Sequence, residues 1–376
     1  MKIIILGGGA AGFFAAIRAK KVHPSAQVIL YEKTAKLLSK VRISGGGRCN
    51  VTHALFDPKK LILHYPRGSI ELLGPFHRFQ PLNTVEWFSK RGVPLKKEKD
   101  GRMFPVTNSS ETIINCLLGE AKKLGVEIQL RAKLDIMQTN YDRFILATGS
   151  SKEGWEIAKS FGHTIQEPVP SLFTFNVPDS PLKELAGTSC ENVKVRIEKT
   201  KFSQEGPLLI THWGFSGPAI LKLSAFAARY LAEKNYETTF IIDWVPALTE
   251  EKLFSLFSSD PKKHLQNVRT PLPKRLWSYF CQGLNEQAGK ISKTLVKKLC
   301  HKLKNDRYTL KGKTTNKEEF VTCGGVTLSE VNFKTMESKI HPNVFFCGEV
   351  LDIDGITGGF NFQNAWTTGW IAGSSV

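Results

Sequence analysis

The feature that most constrains this chain is a glycine-rich stretch near its N-terminus. Lys2–Leu6 is a short apolar run rich in Ile, which is typical of a strand buried on both faces of a parallel sheet. Three glycines follow at once. They allow a tight turn at Gly7, a close approach of the backbone to a pyrophosphate at Gly9 and close helix packing at Gly12. The phosphates would then meet the positive end of the next helix. The stretch therefore predicts the start of a dinucleotide-binding unit.

The next residues complete a βαβ unit. A helix is predicted at Ala10–Val22 and a second strand at Gln27–Tyr31. Glu32 ends that strand twenty residues beyond Gly12, where a carboxylate can accept both hydroxyls of an adenosine ribose and would repel a 2′-phosphate. This order of features, a strand, the glycines, a helix, a second strand and an acidic residue, favours a bound cofactor. The alternative is a glycine-rich turn without a ligand. The side chains expected to face the sheet are Phe13, Phe14 and Ile17.

Length and composition set the outer bounds. With 376 residues and 41% hydrophobic content, the chain can bury a large core and is expected to form two or three domains. The first strand begins at Lys2, so we expect no signal or transit peptide, and no apolar run approaches the roughly 20 residues of a membrane span. We therefore expect a soluble, cytoplasmic protein. Seven cysteines without a CxxC pair indicate free thiols and no metal site.

The net charge of +18 is unevenly distributed along the chain. Between Lys262 and Lys313 there are fourteen Lys or Arg residues against two acids, Glu286 and Asp306. One explanation is an ordinary solvated basic face. The other is a polyanionic partner, with nucleic acid as the expected class. Composition alone leaves both explanations open.

A second glycine-rich segment, residues 33–53, carries too much glycine and basic charge to predict a regular element. We expect a loop along the cofactor, whose backbone N–H groups face phosphate or a flavin ring and whose basic side chains compensate charge. The alternative is a flexible surface loop. Arg42 is one of the basic residues. The candidate cofactor contacts are Lys33, Lys40, Ser44, Gly45, Gly46, Gly47, Arg48, Cys49 and Asn50.

Residues 54–150 predict alternating helices and strands. Arg102 lies in a compact turn, where it is either a substrate or flavin contact or a surface arginine. Thr148 and Gly149 end a buried strand at a sharp turn expected beside the nucleotide. The predicted elements are a helix at Leu82–Arg91 stopped by Gly92, the turn at Gly101–Pro105, a helix at Glu111–Leu124 capped by Ser109 or Ser110, and strands at Val126–Leu130 and Asp142–Ser150.

From about residue 162 the pattern changes. Prolines interrupt short alternating runs, which is typical of an antiparallel β barrel or sheet, and from Thr249 the pattern turns helical. A turn at Thr211–Pro218 leads into a helix from Ala219. No second GxGxxG follows the first, which argues against a separate NAD(P)H domain. The predicted strands are Leu172–Val177, Val193–Lys199 and Glu237–Asp243. The predicted domain ranges are 1–161, 162–248, 249–313 and 314–376.

The C-terminal segment is expected to contact the cofactor again. A strand at Val344–Cys347 is followed by glycines that allow backbone amides to approach a flavin at the start of a final helix, Asn364–Ala372. Gly355 is one of these glycines. An ordinary glycine-rich turn is the alternative. The candidate contacts are Gly348, Glu349, Asp352, Gly358, Gly359, Phe360 and Asn361, together with Ala10 and Ala11 in the first helix.

Four sequence blocks together resemble the BaiN/RdsA family of FAD-dependent oxidoreductases. They are GGGAAG with its trailing YEK, SGGGRCNVTH, THWGFSGPAIL, and TCGGV through TMESK to FFCGEVLDIDGITGGFNFQNAW, and they span the whole chain. The family more often has Lys at the position of Gly46 and Asn at that of His53. The resemblance implies an α/β fold with a split Rossmann-like FAD-binding domain, interrupted by an inserted β barrel plus a small helical bundle.

The resemblance also implies a reaction. Family members reduce ring C=C bonds, in bile-acid enones or in a uridine of ribosomal RNA to give dihydrouridine, by hydride transfer from reduced flavin. The basic segment favours RNA, because a steroid calls for an apolar pocket instead. NAD(P)H is the expected external reductant. A small-molecule enone reductase or amine oxidase, and an FAD-bearing binding protein, remain as alternatives. The modified nucleotide, the choice of NADH or NADPH and the oligomeric state stay open.

Two further expectations concern chemistry and docking. The proton required at the second carbon could come from Cys49, which we favour slightly, from His212 or from Cys323. The helical part of the insert, Thr249–Lys313, is expected to dock RNA, with Ile291, Leu295 and Val296 forming the buried stripe of one helix. The lysines expected to face RNA are Lys262, Lys293, Lys297, Lys298 and Lys302.

Overall fold

The computed structural model describes residues 1–136, 138–284, 286–314 and 321–376. The chain forms two compact units. The first contains Met1–Val169 and Lys317–Val376, and the second contains Pro170–Asn316. The first unit is therefore built from both ends of the chain and the second is an insert between them. The predicted α/β class, with a split Rossmann-like domain and an insert, is confirmed.

The first unit is organised around a seven-stranded sheet. Five neighbouring strands are parallel, and Ile4 in the middle strand faces Ile29 on one side and Phe144 on the other. All three side chains are buried, as expected for a sheet covered on both faces. The strands, in spatial order, are Val331–Asn332, Glu337–Ser338, Val344–Phe346, Arg143–Leu146, Lys2–Leu6, Gln27–Glu32 and Glu127–Leu130.

Two smaller sheets complete the first unit. Thr52–His53, Arg102–Pro105 and Leu95–Lys97 form an antiparallel sheet, and Ile165–Ser171 pairs with Val321–Val326. The prediction of a compact turn at Gly101–Pro105 was therefore wrong. Gly101 makes the turn, with φ +87°, and the next four residues form the central strand of the small sheet.

The first and C-terminal helices pack against the large sheet and against each other. The first helix packs closely on the C-terminal helix, because side chains at Gly369 and Gly373 would overlap the carbonyl oxygens of Ala11 and Ala15. Ser109 caps the helix that begins at Ser110, as predicted, by accepting from the Glu111 N–H. The α-helices are Ala10–Val22, Ser39–Gly47, Pro58–Leu61, Ser69–Arg78, Pro81–Ser89, Ser110–Leu124, Lys152–Ser160 and Phe360–Ser375, with short 3₁₀ turns at Ile62–His64 and Leu328–Glu330.

Three predictions in this unit need correction. Phe14 does not face the sheet, because its ring lies 4.6 Å from that of Trp87 and 4.9 Å from that of Trp366. These aromatic residues therefore cover a second side of the first helix. The segment after Glu32 is not all loop, since a helix begins at Ser39 and breaks at Ser44. The C-terminal helix begins at Phe360, four residues before the predicted start.

The second unit contains an antiparallel seven-stranded sheet that closes into a barrel. Asp306–Lys311 pairs with Glu237–Asp243 at one edge, and Lys313–Thr314 pairs with Thr174–Asn176 at the other. Only Gly312 separates the two edge segments, so one stretch of chain joins both ends of the sheet. The remaining strands are Ser189–Ile197, Ser203–Thr211 and Gly214–Ser216. The predicted barrel is confirmed.

Short helices surround the barrel. Residues 211–218 are not a single turn, because Thr211 and Gly214–Ser216 are paired strand residues around a tip at His212 and Trp213. No helix among the described residues is long and apolar enough to span a bilayer. The α-helices are Pro218–Phe226, Ala228–Glu233, Glu250–Ser258, Lys274–Phe280 and Lys293–Lys304, with 3₁₀ turns at Lys183–Leu185, Leu265–Asn267 and Ala288–Lys290.

Candidate cofactor-binding and catalytic site

The N-terminal glycine turn combines tight packing with one open position. A side chain at Gly7 would clash with the Ala147 carbonyl, and one at Gly12 would overlap the Gly7 carbonyl oxygen. At Gly9, by contrast, an added Cβ would meet no heavy atom within 4 Å. Gly9 is also the N-cap of the first helix and has no side chain to occupy the helix N–H groups. The turn therefore leaves an uncapped helix N-terminus beside open space, which fits a pyrophosphate.

Glu32 is held at the end of the second strand by backbone donors. Its Oε2 accepts from the Gly8 N–H and its Oε1 from the Thr34 N–H, both at 2.9 Å. Because each carboxylate oxygen has two acceptor positions, both oxygens retain one for a ribose hydroxyl. The neighbouring Lys33 forms an exposed ion pair with Glu153 at 2.9 Å. The fixed carboxylate fits the adenosine role expected for Glu32.

The segment Ser44–Cys49 bends sharply away from its helix. Ser44 has extended backbone, and Gly45, Gly46 and Gly47 all have positive φ. A side chain at Gly45 would meet the Phe104 ring, whereas Gly46 and Gly47 have open space where a side chain would point. The backbone at the last two glycines can therefore be approached closely by a ligand.

The basic side chains near this loop are paired with acids. Arg48 forms an ion pair with Glu98 at 2.6 Å and lies over the Phe104 ring at 4.0 Å. Arg102 pairs with Asp100 at 2.7 Å and with Glu98 at 3.4 Å. Arg42 pairs with Glu111. Arg102 and Arg48 thus share Glu98, which connects the small sheet to the glycine loop.

Lys40, on the helix that begins at Ser39, lies beside Glu349, which follows the strand Val344–Phe346 at the carboxyl-end edge of the parallel strands. The Lys40 ammonium donates to Glu349 at 2.5 Å and to the Ser150 hydroxyl at 3.3 Å. Nearby along the chain, the Thr148 hydroxyl oxygen is buried and has no hydrogen-bond partner among the described residues. A buried hydroxyl without a partner costs about 1–3 kcal/mol, which a bound ligand can recover. These residues fit a cofactor that lies along this edge.

Gly358 and Gly359 bring the chain into the C-terminal helix. Gly359, with φ +93°, is the N-cap and provides no side-chain cap for the first N–H groups. With its amide oriented by the hydrogen-bond network, Asn50 accepts from the Gly359 N–H at 2.9 Å. Asn361 closes the preceding loop through two bonds to Gly355, at 2.7 and 2.9 Å. Asp352, on the approach to this loop, is buried.

The three candidate proton donors differ in accessibility. Burial raises the pKa of Cys49 to about 12, so this thiol keeps its proton at neutral pH, although a hydrogen bond with Ser44 partly offsets the shift. Cys49 and Cys323 are both fully buried. His212 lies in the second unit, where it is exposed at the hairpin tip beside Trp213. His212 is therefore the one candidate of the three that is exposed to solvent.

One cluster was missed in the sequence. His53, His64 and Phe360 form near-parallel rings, with centroids 4.8 Å apart for His53 and Phe360 and 4.4 Å apart for His64 and Phe360. Beside them Arg67 forms an ion pair with Asp354. Asp354 lies in the DIDG segment before the C-terminal glycines, so the sequence could have indicated it as a functional residue. No spacing marks Arg67 as its partner.

The predicted RNA-facing lysines in the helix Lys293–Lys304 are exposed. Lys293, Lys297 and Lys298 make no ion pair with any described residue. The buried face of this helix consists of Val296, Leu299, Cys300 and Leu303. The prediction that Leu295 is buried was wrong, because its side chain is 45% exposed. The buried side chains of this helix begin at Val296 and lie nearer its C-terminus. Lys262 is also exposed, and Lys302 lies 5.5 Å from the Tyr279 ring.

Comparison with known proteins places this architecture in a family. Residues 1–148 match the HI0933-like protein Rossmann domain, and residues 169–321 match the HI0933-like protein barrel and H2TH domain. The ribosomal RNA dihydrouridine synthase of Haemophilus influenzae is 30% identical, with 99% of this chain and 98% of that protein covered. The enzyme of the same name from Escherichia coli K12 is 28% identical, covering 98% and 96%.

A relative with a different named substrate matches equally well over its length. The 3-dehydro-bile acid delta(4,6)-reductase of Clostridium scindens is 27% identical, with 100% of this chain and 98% of that protein covered. The chain belongs to the HI0933-like family. The predicted BaiN/RdsA family of FAD-dependent oxidoreductases, and with it the predicted enzyme class, is thereby confirmed.

Proposed function

We propose that this protein reduces a ring C=C bond in a uridine of ribosomal RNA, with FAD as its cofactor, to give dihydrouridine. The observation that supports the cofactor most directly is the open position at Gly9 beside an uncapped helix N-terminus. A glycine turn that served only packing would have no reason to leave this one position open.

Each part of FAD has residues suited to it. The N–H groups after Gly9 would bind the pyrophosphate, and Glu32 would accept from the adenosine ribose. Lys40 and Glu349, which form an ion pair with each other, would hydrogen-bond the ribityl chain. The start of the C-terminal helix at Gly359 would stabilise negative charge on the flavin ring. Bound FAD, once reduced by NAD(P)H as the proposed external reductant, supplies the hydride.

The protein must also provide a proton. Reduction of the uracil C5=C6 bond adds hydride at one carbon and a proton at its neighbour, so a donor must reach the substrate. Full burial of Cys49 and Cys323 makes His212 the preferred donor of the three candidates. His212 would give a proton to the carbon and regain one from solvent.

The choice of RNA rests on charge and on the relatives. Exposed lysines on the helix Lys293–Lys304 repel one another unless an anion screens them, and a phosphate backbone does so. Two of the matched relatives, from different bacteria, are named ribosomal RNA dihydrouridine synthases. These two observations point to the same substrate class.

Nucleoside analysis of ribosomal RNA tests the proposal. RNA from a strain lacking this protein should contain less dihydrouridine than RNA from the parent, and a plasmid carrying the wild-type gene should restore it. A plasmid encoding Gly9→Val should not restore it, because that variant is expected to lack FAD. Identical dihydrouridine content in parent and deletion strain would exclude this function.

A small-molecule reductase is the second candidate. It is favoured by the match to the bile acid reductase, which covers the whole chain. Saturable oxidation of NADH or NADPH that depends on a free cyclic enone, and is unaffected by added RNA, would support it. An amine oxidase or an FAD-bearing binding protein would show no enone-dependent oxidation.

A further inference from the structure

The loop that leads into the C-terminal helix is held by a separate segment, His64–Gly68. The Ile356 N–H donates to the His64 carbonyl at 2.9 Å. The buried Tyr65 hydroxyl donates to the Phe360 carbonyl at 2.7 Å. Gly68, with φ +77°, packs against Ile353 so closely that a side chain would not fit. Contacts at three successive points therefore fix the loop Ile353–Phe360 from outside.

A fourth contact between the same two segments is the ion pair between Arg67 and Asp354. The Arg67 Nε and Nη2 each donate to one oxygen of the Asp354 carboxylate, and the two residues also form a backbone bridge. The Asp354 side chain is fully buried and that of Arg67 is 13% exposed. A bidentate pair of this kind fixes direction as well as distance, so it restricts how the loop can move.

We propose that Arg67 and Asp354 are positioning residues that hold the glycine loop and the start of the C-terminal helix in the geometry that stabilises reduced flavin. The proposal rests on FAD binding at this loop, as proposed above. Neither residue needs to touch the cofactor. Asp354 directly precedes Gly355, and the clamped loop ends at Gly359, whose helix has no side-chain cap.

The consequence concerns the redox potential of the flavin. Reduced flavin carries more negative charge near the helix N-terminus than oxidised flavin does, and the N–H dipoles favour that charge only while they point at it. A loosened loop should therefore weaken binding of reduced FAD more than binding of oxidised FAD. A tenfold change in that ratio corresponds to about 30 mV for a two-electron couple.

Two single variants separate positioning from a direct electrostatic effect. If the pair acts by holding the loop, both Arg67→Met and Asp354→Asn lower the flavin midpoint potential, by about 30 mV or more, because each breaks the same bidentate contact. If the charges acted directly on the flavin, Arg67→Met would lower the potential and Asp354→Asn would raise it. The sign for Asp354→Asn, measured by spectroelectrochemical titration, decides between them.

A third variant and a control complete the experiment. Tyr65→Phe removes only the hydroxyl that bonds Phe360, so it should lower the potential by less than Arg67→Met while leaving the fold intact. Arg91 and Glu120 form a similarly buried ion pair at 2.7 Å elsewhere in the same unit, and Arg91→Met should leave the potential unchanged. A parent protein without FAD would overturn the proposed cofactor. FAD bound at an unchanged potential in Asp354→Asn and Tyr65→Phe would overturn the positioning role alone.

Discussion

Gln363 and Asn364 are adjacent buried amides in the C-terminal helix with opposite hydrogen bonding. The Gln363 Oε1 accepts from the Thr52 hydroxyl at 2.6 Å and from the Thr84 hydroxyl at 2.9 Å, and its Nε2 donates to Thr367 at 3.0 Å. Neither the nitrogen nor the oxygen of the Asn364 amide has a hydrogen-bond partner among the described residues. The Gln363 amide therefore connects the C-terminal helix to the strand Thr52–His53 and to the helix Pro81–Ser89. The Asn364 amide has lost its contact with water without gaining a hydrogen bond in return.

This contrast predicts opposite effects of the same substitution. Asn364→Leu should raise the free energy of unfolding of the FAD-free protein by about 1 kcal/mol, because it removes an unsatisfied amide while keeping the branched shape. Gln363→Leu should lower it by about 1–3 kcal/mol, because it leaves two threonine hydroxyls without their acceptor. Denaturant unfolding of both variants makes the comparison. A loss of stability in Asn364→Leu as large as that in Gln363→Leu would show that the amide has a partner.

Gly9 and Gly12 should separate cofactor binding from folding. Gly9→Val places its Cβ in open space, so the variant should fold and lose the yellow flavin absorbance. Gly12→Ala would overlap the Gly7 carbonyl oxygen and should destabilise the first unit whether or not FAD is present. Circular dichroism and flavin absorbance on the same samples test both. Stoichiometric FAD in a folded Gly9→Val protein would contradict the assignment of this turn.

His163 should make the first unit sensitive to mild acid. Burial lowers its pKa from the ordinary 6.5, although Glu330, whose carboxylate lies 3.1 Å away, partly opposes the shift. The unfolded state therefore takes up a proton more readily than the native state as pH falls below about 6.5, and stability falls with it. Unfolding measured from pH 7.5 to 5 should show a shallower pH slope in His163→Gln. An unchanged slope in His163→Gln would contradict this role of His163.

The exposed lysines of the basic helix should control RNA affinity. Changing Lys293, Lys297 and Lys298 together to Glu should preserve the fold and the flavin spectrum, because none is buried. It should weaken RNA binding and reduce its dependence on salt, since fewer phosphates are neutralised.

The matched control for this triple variant changes Lys21, Lys122 and Lys123 to Glu. These lysines are exposed in the first unit, and the change in net charge is the same. Filter binding to ribosomal RNA across salt concentrations compares the two proteins. Equal losses of affinity would indicate a general charge effect and not a docking surface.

Proton delivery should depend on His212 and not on the thiols. His212→Asn is expected to slow reoxidation of reduced FAD by substrate by about 10²–10⁴-fold, the usual contribution of a general acid. Cys49→Ala should leave that rate nearly unchanged, because the thiol is fully buried and keeps its proton. Stopped-flow absorbance follows the step directly. A slow Cys49→Ala variant with FAD still bound would return the role to Cys49.

Local patterns were enough to predict much of the first unit. The helix Ala10–Val22 and the strand that begins at Gln27 depend on glycine spacing and apolar runs that act within thirty residues. The helix has the predicted bounds, and the strand extends one residue beyond the predicted Tyr31, to Glu32. The start of the C-terminal helix was misjudged because the glycines before Phe360 resemble a continuing turn. The helix begins there because Phe360 is buried between aromatic rings from distant parts of the chain.

Contacts over long sequence distances explain the other differences. Arg102–Pro105 becomes a strand only because Thr52–His53 and Leu95–Lys97 lie on either side of it. The pair of Arg67 and Asp354 joins positions that no periodicity relates. The sequence predicted that the backbone of the glycine-rich loops contacts a ligand. It did not predict the side chains that hold those loops in place, because they form no local sequence pattern.

The parallel sheet of the first unit has a consequence for how the chain is made. Val344–Phe346 pairs with Arg143–Leu146, so the sheet cannot be completed until the residues up to Phe346 have left the ribosome. At about 5–20 residues per second, the roughly 200 residues between those strands take about 10–40 s to synthesise. During that interval the edge of Arg143–Leu146 is unpaired and available for misassociation. The nascent chain would expose this edge until Val344–Phe346 pairs with it.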